Sequence, residues 1–96
     1  METNNLILVD QLCSNYDADV SFINSLNDHG LIEIIVLQNI KYISDAQLKD
    51  IERAIQFHYE LNINIEGIGV ISNLLKQIDD LQKELIITRN KLELLD

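Results

Sequence analysis

Eight positions near the C-terminal end, Ile71, Leu74, Ile78, Leu81, Leu85, Thr88, Leu92 and Leu95, are spaced alternately three and four residues apart, and all but Thr88 are Leu or Ile. That alternation gathers them on one side of a continuous helix, as the heptad seam of a coiled coil sustained for about three and a half repeats. A lone helix with such a stripe would expose more apolar surface than a monomer normally tolerates. Its proximal part, near Ile65, Ile68 and Ile71, can pack on the chain's own domain. Its distal part lies beyond what a domain of about 60 residues can cover. The seam therefore predicts a homodimer joined through Ile71, Leu74, Ile78, Leu81, Leu85, Leu92 and Leu95. Thr88 weakens the seam locally, at a point where register or orientation can be set. The spacing leaves parallel and antiparallel pairing open.

The rest of the 96 residues suit one small module. There is no proline, there are only three glycines, and no linker-like stretch interrupts the chain. These features favour helices joined by short turns. The expected organisation is a module over 1–63 followed by the long helix over 64–96. Leu6 to Val9 reads as a short strand entering a helix whose buried stripe is Val9, Leu12, Cys13 and Tyr16. After a polar turn around Asn15 to Asp19, Val20, Ile23 and Leu26 mark a second buried stripe. His29-Gly30 closes that helix, with Gly30 as the left-handed cap. Leu31 to Leu37 and Ile40 to Ile43 are apolar runs across Gln38-Asn39, which predicts a small β-hairpin of open turn type. Ser44 and Gln47 have the spacing of a capping box. The helix that follows should bury Leu48, Ile51, Ile55 and Tyr59. Asn64 is a suitable N-cap for the last helix.

Charge narrows the function classes. The net charge is −9, and residues 1–40 contain Glu2, Asp10, Asp17, Asp19, Asp28 and Glu33 with no Lys or Arg. Such a surface repels nucleic acid and anionic membranes and attracts basic proteins. The plainer alternative is that acidity only keeps the protein soluble. The single cysteine, Cys13, excludes an internal disulfide and a Cys-based zinc site, and its neighbours place it in a core. No apolar run approaches the ~20 residues of a membrane span, and no basic start leads into an apolar stretch. A cytoplasmic protein is expected. His29 and His58 lack metalloprotease spacing, Asp79 and Asp80 point to different helix faces, and neither a phosphate loop nor a nucleophile elbow occurs. The chain is thus expected to be no enzyme and to need no metal or cofactor.

The order helix, turn, helix, hairpin, helix, long helix, together with "LVDQLCSNY", "VSFINSLNDHGLI" and "IKYISDAQLKDIERAIQFHYELNINIEGIGVI", resembles the MerR-type winged helix-turn-helix over nearly the whole chain. Within that type, "SFINSLNDHGLIEI", "YISDAQL", "HYELNINIEGI" and "LLKQIDDLQKEL" resemble the chaperone modulator CbpM family. The resemblance implies a mainly α fold with a small β-hairpin wing. It also implies a final helix that forms an antiparallel coiled coil in a dimer, and a function of binding and inhibiting the J-domain of a DnaJ-like (CbpA) co-chaperone.

MerR-type DNA readers usually carry an arginine after the apolar core residue of the second helix, then an aromatic pair. Here Asn24 follows Ile23, and the pair is Ser25-Leu26. The wing offers Lys41 where the family often has arginine. Phosphate neutralisation, the main source of DNA affinity, is therefore poorly supplied. Asn24 and Asn27 have the chemistry to read adenine edges, but beside Asp19 and Asp28. The expected partner-binding residues are Asp19, Phe22, Asn24, Asn27, Asp28 and Glu33, with Phe22 as an apolar anchor or, equally, a core cap. Asp17 and Asp19 have the simpler reading of turn and N-cap residues. The alternatives to a J-domain inhibitor are a MerR-type DNA-binding transcriptional regulator and a structural dimer with an unrelated partner.

Overall fold

The computed structural model describes residues 5–95, without the Leu95 side chain, so Leu95 as a seam residue and Glu2 as part of the acidic N-terminal half lie outside what is described. Strand β1 (Leu6–Leu8) runs directly into helix α1 (Val9–Tyr16). Helix α2 (Val20–Asp28) follows, then strands β2 (Ile35–Leu37) and β3 (Ile40–Ser44). A 3-10 turn (Asp45–Gln47) leads into α3 (Leu48–Tyr59), and α4 (Ile65–Leu95) is the last described element. The result is a mainly helical winged helix-turn-helix with a long terminal helix, as expected.

The wing is larger than the expected hairpin. β1 pairs antiparallel with β3, and β3 with β2, giving a sheet in the order β1-β3-β2. The run Leu31 to Leu37 is strand only from Ile35; its earlier part is loop, in which Ile32 is buried. Gln38 and Asn39 have φ of 50° and 64°. Both central residues being left-handed makes this a type I′ turn, whose twist matches that of the flanking strands.

Val9, Leu12, Ile23, Leu26, Ile43, Ile51 and Ile68 are almost fully buried and draw every element except β1 and β2 into one core. Cys13 is buried there too, as expected. The end of α2 explains the position of Gly30. Its φ is 74°, the Leu31 N–H donates to the Leu26 carbonyl at 2.9 Å, and the Gly30 N–H donates to the Asn27 carbonyl at 3.0 Å. This is a full Schellman cap. At the start of α4 the Asn64 side chain accepts from the Gly67 N–H at 2.7 Å, the expected N-cap.

Four expectations about side chains are corrected. Val20 is exposed and Phe22 is buried. At about 100° per residue, the side set by Phe22, Ile23 and Leu26 leaves Val20 well off the buried arc. Phe22 is drawn inward by α3: its ring stacks on His58 at 4.4 Å and meets Tyr59 edge-on at 5.5 Å. Tyr16 lies at the surface, donating its hydroxyl proton to Glu52 of α3. Tyr59 is also exposed, and its hydroxyl accepts from the Asp19 N–H at 2.9 Å; phenols stay where their oxygens find partners.

The fourth correction concerns Gln47. Ser44 Oγ does accept a backbone proton, but from Ala46 at 3.2 Å in a 3-10 turn. Gln47 does not reach back to Ser44. It clamps the Glu33 peptide instead: Oε1 accepts the Glu33 N–H at 2.7 Å, and Nε2 donates to the Glu33 carbonyl at 2.9 Å. A loop peptide with no strand partner outcompetes the helix cap for this carboxamide.

The proximal turns of α4 belong to the globular part, where Ile68 is 1% exposed and Ile71 half-buried. Beyond them the helix projects. The Cα radius of gyration is 17.0 Å, against about 12.5 Å for a compact chain of this length. Leu74, Ile78, Leu81, Leu85 and Leu92 are each at least half exposed.

Candidate partner-binding surface

In a helix-turn-helix the second helix presents its outward face to whatever the module recognises. On α2 the buried arc of Phe22, Ile23 and Leu26 fixes that face as the exposed Val20, Ser21 and Asp28 around a half-buried Asn24, with Ser25 and Asn27 half-buried at its flanks.

The six expected partner-binding residues separate into two groups. Asp19, Asp28 and Glu33 are exposed. Phe22 is in the core at 6% exposure, so it caps the core and is no surface anchor in this conformation. Asn27 is structural: its side-chain oxygen accepts the Ile34 N–H at 3.0 Å and holds the loop that leads into the wing. Asn24 accepts from Lys41 Nζ at 3.2 Å, tying the outward face of α2 to β3. The first Lys or Arg of the sequence is thus engaged by a residue of the second helix. Asp19 occupies the N-cap position of α2 but makes no side-chain cap bond. Its carboxylate therefore stays exposed while its N–H is taken by Tyr59. Asp17, at the end of α1, has φ of 54° and is a turn residue.

The electrostatics follow this arrangement. Burial, helped by the charges of Asp10 and Asp19, pushes the Cys13 thiol above its ordinary value. It stays protonated at neutral pH and is a poor nucleophile. Tyr16 is raised by its bond to Glu52. His29 Nδ1 donates to the Ser25 carbonyl at 2.9 Å, and its Nε2 lies 3.7 Å from Glu66 of α4. His58 Nδ1 donates to the Ile63 carbonyl at 3.1 Å. Both histidines thus serve the turns between helices. Among the described residues, no cluster of three or more His, Cys, Asp or Glu is arranged to hold a metal ion. No described helix is long and apolar enough to cross a membrane.

Two surfaces escaped the sequence reading. An open groove where the end of α2 meets α3 and α4 is bordered by Lys49, Arg53 and Lys76 together with Asp50 and Asp79. The outer side of the sheet is apolar: the register puts Leu6, Leu8, Ile35, Leu37, Ile40 and Tyr42 on the face opposite the buried Ile43. The signal was present as alternation along three strands, but the strands are only three to five residues long, and alternation assigns faces only when the pairing partner is known.

No curated protein matches the sequence. The model of the MerR helix-turn-helix regulatory protein family matches residues 7–90, from β1 through most of α4. Fold, element order and this match agree: the chain belongs to the MerR helix-turn-helix family of regulatory proteins.

Proposed function

We propose that this protein is a protein-binding member of its family that binds and inhibits the J-domain of a DnaJ/CbpA-like co-chaperone, as a chaperone modulator of the CbpM kind. The observation that carries this reading is the outward face of the second helix. It offers Asn24 and Asp28 with no arginine or lysine of its own, and Lys41 beside it is already bonded to Asn24. Asp19, Asp28 and Glu33 add exposed negative charge. A surface of this sign suits the basic face of a J-domain, and complementary charge would speed association and make it salt-sensitive. Covering the surface that Hsp70 requires would inhibit by competition, without catalysis and without a cofactor. The exposed Leu and Ile of distal α4 support a homodimer joined along that helix, inside the cell where a J-domain partner resides. The test is a binding titration against the organism's J-domain at low and at high salt. Saturable binding that weakens with salt is expected, and no binding at low salt would sink the proposal.

The second reading is a MerR-type DNA-binding transcriptional regulator. Family membership and the intact three-stranded wing favour it. The charge opposes it, because counterion release needs cations at the phosphates. Retarded migration of duplex DNA from the upstream region of its own gene, at low salt and micromolar protein, would support this reading over the first.

A further inference from the structure

The sheet has two unlike faces. Its inner face carries Ile7 and the fully buried Ile43 against α1 and α2, with Lys41 and Val36 paired towards the hairpin tip. Its outer face carries Leu6, Leu8, Ile35, Leu37, Ile40 and Tyr42, and Ser44 is its one polar position. Leu6, Leu8, Leu37 and Ile40 are 39–49% exposed. An antiparallel sheet with one face in water normally alternates apolar with polar residues, so that the solvent face is polar. Here the outer face is apolar and uncovered along all three strands, whereas the inner face is covered except at the hairpin tip, where Val36 is 58% exposed beside Lys41. Scattered apolar residues need no explanation, whereas a contiguous patch of this kind marks an interaction surface.

Charge indicates what covers it. Glu33 and Asp45 border the end of the sheet where β2 begins and β3 finishes, since Gln47 clamps the Glu33 peptide beside the turn that Asp45 opens. Asp10 follows β1 on α1. Among the described residues none of these three carboxylates has an ion-pair partner. Among the described strand residues no cation lies on the outer face, because Lys41 is on the other side, bonded to Asn24. An apolar centre with an acidic border is complementary to a segment with an apolar row flanked by Lys and Arg. Three strands at about 4.8 Å spacing present a strip close to the width of one helix, about 10 Å. The edge strands are three residues long, too short to recruit a partner by strand addition.

We infer that the outer face of the β1-β3-β2 sheet is the apolar docking platform for a basic amphipathic helix of the partner, while Asp28 and Asp19 on the α2 side contribute charge. This rests on the reading that the partner is a J-domain. It moves the apolar part of the interface away from Phe22, which is buried, to Leu37, Ile40 and their neighbours.

The test titrates the full chain with the purified J-domain. The variant Leu37→Thr/Ile40→Thr places β-branched residues, which suit strands, at both positions but removes apolar surface, and it is expected to weaken binding ~10-fold or more. Glu33→Lys/Asp45→Lys should weaken it less and flatten its salt dependence. If the unaltered chain binds and the threonine variant binds equally well, the sheet platform is wrong and the J-domain reading survives. If the unaltered chain does not bind, both fall. If the threonine variant keeps its affinity but loses its dimer mass in light scattering, the face is a contact between copies and the inference is overturned. Methyl NMR of the unaltered chain covers the case of a variant that misfolds. On adding J-domain, shifts at Leu6, Leu8, Leu37 and Ile40 support the platform, whereas shifts confined to Val20 refute it.

Discussion

The globular module and the distal half of α4 are built from the same side chains and treat them in opposite ways. In the module, Leu12, Ile23, Leu26 and Ile51 are at most 1% exposed. Along α4, Leu74, Ile78, Leu81 and Leu85 are 50–63% exposed. The module closes its core within one chain because two short helices, a sheet and α3 enclose a common volume. Among the described residues the distal helix faces no other element, so burying its apolar stripe would require a second molecule. Stability of the first region is therefore intramolecular. Under the proposed dimer, order in the second would depend on concentration.

Five changes would break or sharpen that contrast. The largest effect is expected in the module: Ile23→Ala or Leu26→Ala should cost about 2–5 kcal/mol, through lost burial and an unfilled cavity. Urea unfolding at fixed protein concentration checks this, and a loss below about 1 kcal/mol would show that the core is not as closed as described. Next is Leu81→Asp/Leu85→Asp, which should leave the module folded but convert the proposed dimer to monomer at micromolar concentration, read by light scattering. An unchanged mass would remove the seam as the dimer contact.

Smaller effects are expected at the helix caps. Asn64→Ala removes the side-chain acceptor for the Gly67 N–H and should cost about 1 kcal/mol. Gly30→Ala leaves open space but forces a non-glycine residue to φ of 74°, at a similar cost of about 1 kcal/mol. Equal melting temperatures for these variants and the parent would refute both cap assignments.

The smallest effect concerns pH. The Cys13 thiol is raised above its ordinary value of 9.0 by burial first, then by Asp10 and Asp19. The folded chain therefore keeps this proton to higher pH than the unfolded chain. The associated stability is present below the unfolded value and declines as pH rises through and beyond it. Cys13→Ser should flatten that alkaline decline relative to the parent. Parallel stability curves across that range would show that Cys13 contributes none of it.

Much of the scaffold was legible because its signals are local. The three-four spacing of the seam, Gly30 as a left-handed cap and Asn64 as an N-cap each depend on residues within one or two turns of each other. The candidate surface was less legible because its residues are sorted by partners far along the chain. Phe22 and Val20 differ by two positions, and only His58 and Tyr59 of α3 decide which of them is buried. Asn24 and Asn27 look equivalent in sequence. One bonds Lys41, and the other a backbone N–H seven residues on. Gln47 has the spacing of a cap, yet its partner is fourteen residues earlier.

The first forty residues, acidic and without Lys or Arg, the seam spacing of the last helix and the caps at Gly30 and Asn64 were determined by sequence alone, since composition and spacing along a helix need no distant information. Which face of α2 points outward, the engagement of Lys41 by Asn24, and the uncovered apolar side of the sheet were decided only by tertiary structure. Short strands acquire an inside and an outside from their pairing register, and a side chain chooses among equivalent polar partners only when the fold has brought one of them within reach.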